Sequence, residues 1–281
     1  RVFPEAGIDG LIRFATNIAV PALLFRSIYG LDLGAAIDPR HLAGFYAAAV
    51  ICFASATLAS RVLWRRRPGE SVATGFPALF SNSVLLGLPI FKRAYGAGAA
   101  MDPVFAIIAF HAPACYIIGI VTMELARRDG GSIAGALATS AGEILKNALT
   151  IGILLGFAVN LGGVVLPGPV TEVLDLLTEA AIPVALFGLG GVLTRYRLRS
   201  AVSEALMVSA FSLALHPALA WLFTDQLLGL PEGFVRAAVV IAAMPPGVNG
   251  YVFAAMYGRA VGTAASTVLL GTALSVVTVT L

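Results

Sequence analysis

The sequence predicts an all-α polytopic membrane protein with an inverted-repeat transporter fold, five helices plus five, in which two broken helices cross. Three observations carry that prediction. Apolar segments long enough to span a bilayer recur along the whole chain, two short sequence matches share one offset, and two of the apolar segments are interrupted by glycine and proline.

Apolar residues make up 59% of the 281 and charged residues 12%, and the mean hydropathy is +0.92. A soluble chain covers itself with about twice that share of charge, roughly 25%, so this composition belongs in a bilayer. No polar linker or low-complexity tract divides the chain, and residues 1–281 read as one transmembrane domain.

About 20 residues of helix cross the hydrocarbon, and nine segments meet that length: 8–29, 41–63, 71–95, 102–126, 144–166, 170–193, 200–223, 233–257 and 260–281. Arg61, Arg65, Arg66, Arg67, Arg127, Arg128, Arg195, Arg197, Arg199 and Arg259 share one side, which the positive-inside rule makes cytoplasmic; Lys92 and Arg93 run against the trend. The expected setting is a multi-pass protein of the plasma (inner) membrane with a non-cytoplasmic C-terminus. The formal charge of +3 comes in short clusters between apolar segments without interleaved aromatics, so no nucleic-acid partner is expected. Cys52 and Cys115 both fall inside apolar segments, where a thiol packs as a small hydrophobe.

The internal matches are AVPALLF at 19–25 with AIPVALF at 181–187, and FKRAYG at 91–96 with FAAMYG at 253–258, both displaced by 162. Five crossings separate the copies, an odd number, so the second copy is expected to be inverted, as in secondary transporters. On this reading residues 1–126 form a first repeat of about four helices and 144–281 a second of five. The offset expects a further helix ahead of Arg1, pairing with 144–166 and absent from this chain.

The interruptions are FSNSVLLGLP at 80–89 and AAMPPGVNGYVF at 242–253. Gly87 with Pro89, and Pro245 and Pro246 with Gly247, loosen the helix and remove amide donors, which hydrocarbon tolerates only where protein or water satisfies the freed carbonyls. The two breaks are therefore expected to face each other inside the protein. Ser81, Asn82, Ser83, Asn249 and Tyr251 flank them, with side chains that donate and accept hydrogen bonds. Half-helix N-termini at such breaks favour an anion.

With those residues in view, the chain resembles the auxin efflux carrier family, which includes plant hormone exporters and bacterial permeases for small dicarboxylates such as malonate and malate. The resemblance rests on VPALLF at 20–25, NSVLLGLPIF at 82–91, IPVALFGLGGVL at 182–193, LHPALA at 215–220 and MPPGVNGYVFAAMYG at 244–258. It implies a fold like that of the bile-acid sodium symporters and a carrier of small organic anions working by alternating access, with Asn82 and Asn249 on the substrate carboxylate. Two departures stand out: Asn147-Ala148 replaces a frequent Asn-Pro, and the central loop spans only about 127–142, which favours a bacterial permease.

Ionisable residues inside spans are functional candidates. Glu179, four residues before Pro183, pairs at the 162 offset with Asn17, and the Glu/Asn asymmetry suits a cation or proton site; the alternative is a wet face shared with Glu172 and Asp175. His111 and His216 lie beside Pro113 and Pro217 within apolar spans and are candidate proton carriers, or rings that simply bond a neighbouring carbonyl. The expected partners are a small organic anion, Na+ or H+ as candidate coupling ion, the bilayer, and a second copy in a candidate homodimer. A sodium- or proton-coupled symporter or antiporter is the alternative. An intramembrane enzyme is the rival of another class, and no GxSG, HExxH, paired-Asp or metal-spaced motif supports it. No cofactor or metal is expected.

Overall fold

The computed structural model describes residues 4–127, 135, 138, 141–142, 145–193 and 201–279. Arg1, Arg128, Arg195, Arg197, Arg199 and most of the 127–142 loop lie outside the described residues. Those described are helical, with no strand among them beyond one isolated bridge.

In chain order the elements are α1 (Ala6–Tyr29), α2 (Pro39–Leu63), α3 (Pro68–Leu79), α4 (Ser83–Gly87 continuing as Leu88–Tyr95), α5 (Asp102–Arg127), α6 (Ala148–Leu161), α7 (Gly168–Leu193), α8 (Val202–Leu227), α9 (Glu232–Ala242), α10 (Val248–Met256) and α11 (Val261–Thr278). Among the described residues six of these, α1, α2, α5, α7, α8 and α11, are long and apolar enough to cross a membrane. The shorter α6 and the two interrupted segments, α3 with α4 and α9 with α10, account for the remaining apolar stretches seen in the sequence. α6 is shorter than its apolar stretch because Asn147 caps it, its side chain accepting from the Leu149 N–H at 2.9 Å, and Gly162 ends it. Ala148 thus holds the first helical position, where proline is also at home.

Three π turns share one cause. Ala15–Ala19, Ser83–Gly87 and Phe211–Leu215 each end two residues before a proline, Pro21, Pro89 and Pro217. A proline ring collides with the carbonyl four residues back, which is the central residue of each π turn, and widening the turn relieves the collision.

The helices group into two compact units, Arg1–Ala36 with Ala141–Arg195, and Ile37–Ser140 with Tyr196–Leu281. In the first, α6 approaches α1 through Gly152 and Gly156; a Cβ at Gly152 would stand 2.5 Å from the Pro21 carbonyl oxygen. This is the small-residue spacing by which membrane helices come into close contact. Asn160 turns its amide nitrogen toward the carbonyls of Ile28, Tyr29 and Leu31 at 2.8–3.0 Å, satisfying the end of α1. Arg26 and Asp175 join α1 to α7 at 2.8 Å.

The second unit holds both breaks. Its core is aromatic: Phe76 of α3 stacks on Phe253 of α10 with centroids 3.8 Å apart, and Phe80, Ile120 and Met123 pack around them. At the start of α8, Glu204 is fully buried, accepting from Ser60 Oγ at 2.6 Å and Arg66 Nη2 at 2.9 Å. The carboxylate hydrogen bond raises the Arg66 guanidinium above its ordinary value. One of the topological arginines is therefore also a structural partner.

Candidate functional site

The helix ends after Leu79 and resumes at Ser83; the second segment ends after Ala242 and resumes at Val248. Phe80–Asn82 and the Pro245–Gly247 stretch pair as a short antiparallel bridge, Ser81 opposite Pro246. The Asn82 N–H donates to the Pro245 carbonyl at 2.8 Å, and the Gly247 N–H donates to the Phe80 carbonyl at 2.8 Å. Each break thus satisfies the backbone that the other leaves open, as an apolar interior requires.

The halves around the bridge pack crosswise. Gly250 of α10 meets Pro77 of α3, where a Cβ would lie 2.9 Å from Pro77 Cγ, and Gly87 of α4 meets Ile241 of α9, with 2.7 Å to its Cδ1. The half before one break therefore lies on the half after the other. Gly271 of α11 closes over Pro246, with 2.7 Å to its Cδ.

Ser81, Asn82 and Ser83 are buried, as are Gly87, Pro245, Pro246 and Gly247, while Pro89, Asn249 and Tyr251 are half-buried. Asn82 is 7% exposed, and no described residue hydrogen-bonds its side chain. The Asn249 side-chain oxygen accepts from the Tyr116 hydroxyl at 3.4 Å, which leaves the amide N–H groups to point elsewhere. Each asparagine stands in the first turn or cap of a half-helix, α4 and α10; the Ser83 N–H donates to the Ser81 carbonyl at 2.8 Å and the Gly250 N–H to the Gly247 carbonyl at 2.9 Å, while the other first-turn amides have no carbonyl a turn earlier to bond. No charged residue occurs at 71–91 or 237–258. The nearest cations in sequence are spent at the far ends: Lys92 and Arg93 are exposed, and Arg236 hydrogen-bonds Glu232 and lies 5.1 Å over the Tyr95 ring.

His111 and His216 belong to this same unit and touch the first break. His216 Nδ1 is 3.4 Å from Ser81 Oγ, and the His111 ring meets Phe80 edge-on at 4.8 Å. Glu179 and Asn17 belong to the first unit, and both are exposed there. Sequence reasoning missed Phe80, whose contribution is a carbonyl, and Tyr116, which reaches Asn249 from a different helix 133 residues away.

Residues 1–281 match the membrane transport protein family throughout. The chain belongs to that family, the family of the auxin efflux carriers. As a member of it, the protein is a membrane transporter. A protein of Rhizobium meliloti named "Putative malonate transporter" is 26% identical over 277 residues, covering 99% of this chain and 86% of that one. An "Uncharacterized transporter" of Methanothermobacter thermautotrophicus is 27% identical over 291 residues, covering 100% of this chain and 89% of its own. The transporter's paired breaks thus sit within a sequence that matches these relatives from end to end.

Proposed function

We propose that this transporter carries small organic anions, carboxylates of the malonate kind, by alternating access, and that the anion binds where the two interrupted segments cross. The observation that carries this reading is the bridge between the breaks, which sets Asn82 and Asn249 at two half-helix starts, in segments that carry no charged residue at 71–91 or 237–258. Amide N–H groups and first-turn backbone amides are suited to a carboxylate. A preorganised neutral site also holds its anion loosely enough to release it. The inverted relation of 1–126 to 144–281 belongs to the same proposal, since two pseudo-symmetric states are what alternating access needs. The name of the Rhizobium relative supports malonate as the first ligand to try.

The test is malonate binding to purified protein by calorimetry. Asn82→Ala and Asn249→Ala should each remove a charge-assisted hydrogen bond of about 1.5–3 kcal/mol, weakening binding about 10- to 150-fold with the melting temperature nearly unchanged. Tyr116→Phe should weaken it less, because it frees Asn249 without removing the donor. Wild-type affinity in both alanine variants would place the anion elsewhere.

A further inference from the structure

An anion held at the paired breaks as proposed would meet hydrogen-bond donors, and the segments that carry the breaks hold no charged residue at 71–91 or 237–258. Two side chains against the break are able to acquire a positive charge. His216 on α8 is fully buried, its Nδ1 faces Ser81 Oγ at 3.4 Å, and its ring lies against the Phe45 backbone, with no hydrogen bond from Nε2 among the described residues. His111 on α5 is 2% exposed and lies against the Ser81 backbone. The Phe45 ring of α2 packs against both, with centroids 5.8 Å from His111 and 5.3 Å from His216.

The titratable groups facing the pair are few. Cys115 Sγ lies 3.8 Å from His111 Nδ1, and Tyr46 of α2 stacks on the His111 ring at 6.2 Å. Among the described residues no carboxylate bonds either ring. In general, charging a group away from water is costly unless a counter-charge stands beside it. An anion beside Asn82, the residue next to Ser81, supplies the missing counter-charge.

We infer that His216, with His111 beside it, takes up the proton that accompanies the anion, so that the carrier binds a carboxylate and H+ together. This rests on the anion site proposed above and adds its coupling ion. The linkage is reciprocal: the anion favours the proton and the proton favours the anion. Affinity therefore falls as pH rises.

Between about pH 7 and about pH 8.5 free malonate is almost wholly the dianion, so a fall in affinity there means that a proton is taken up on binding, by the protein or by the anion, and the glutamine variants below separate the two. Wild-type affinity should fall by up to about tenfold per pH unit, the limit for one linked proton. Calorimetry in two buffers of different ionisation enthalpy should show proton uptake on binding. His216→Gln, which keeps a polar contact for Ser81, should flatten the pH profile and abolish the uptake, and His111→Gln should reduce both. A pH-independent affinity with no uptake in wild type overturns the inference while leaving the anion site intact, and needs no variant to fold. Linkage kept in both glutamine variants overturns it as well, placing the proton elsewhere. Failure of wild type to bind malonate or any other small carboxylate overturns both this inference and the reading on which it rests.

Discussion

Gly247→Pro should abolish the malonate transport proposed above and lower the melting temperature, whereas Gly247→Ala should leave both close to wild type. The backbone at Gly247, with φ −74° and ψ 161°, is one that proline and alanine both adopt. A Cβ there would meet its nearest neighbours, Asn82 and Phe80, at 3.5 Å, which is ordinary contact. What proline removes is the N–H that reaches the Phe80 carbonyl at 2.8 Å, and its ring carbon would press on that oxygen instead. A buried carbonyl left unsatisfied costs about 1–3 kcal/mol, and the collision adds to it. The contrast between two substitutions at one position isolates the hydrogen bond from steric bulk. Proteoliposome uptake alongside a melting curve reads both effects; a proline variant as active and as stable as wild type would show that the breaks need not be paired.

The second large effect is on stability. Arg66→Ala leaves Glu204, which is fully buried, with Ser60 as its remaining hydrogen-bond partner among the described residues. Stranding a buried charge in this way typically costs about 3–5 kcal/mol. Glu204→Gln should be milder, because the Arg66 side chain is 31% exposed and can turn to water once its partner is neutral. The double variant should recover much of the loss of Arg66→Ala, since no buried charge remains. Melting temperatures of the three variants in detergent check this order, and equal losses in both single variants would contradict it.

Much of the fold follows local rules that can be read along the chain. Apolar length marks the spans, and the observed helices follow them to within a few residues except at α6. Pro245, Pro246 and Gly247 mark the second interruption, because each limits helix formation through its own backbone, whereas Gly87 and Pro89 lie inside α4, past the first break at Phe80–Asn82, where a π turn accommodates the proline. Of the two sequence matches, Pro21 and Pro183 fall in the first unit, and Phe91 and Phe253 in the second. Less legible are the features that depend on distant partners. Glu204 reads as one acid at a span boundary until Ser60 and Arg66 arrive from about 140 residues away. Asn160 reads as a helix end, and nothing local says that it closes the carbonyls of α1. His111 and His216 were visible as polar residues in apolar spans, yet their meeting at Ser81 depends on how α5 and α8 pack.

The most direct test of the anion site is a structure determined with malonate bound at saturating concentration. The account predicts one malonate at the bridge, with carboxylate oxygens within about 2.7–3.2 Å of the side-chain nitrogens of both Asn82 and Asn249. Malonate bound against Glu179 in the first unit, or anywhere that leaves both asparagines untouched, would contradict it.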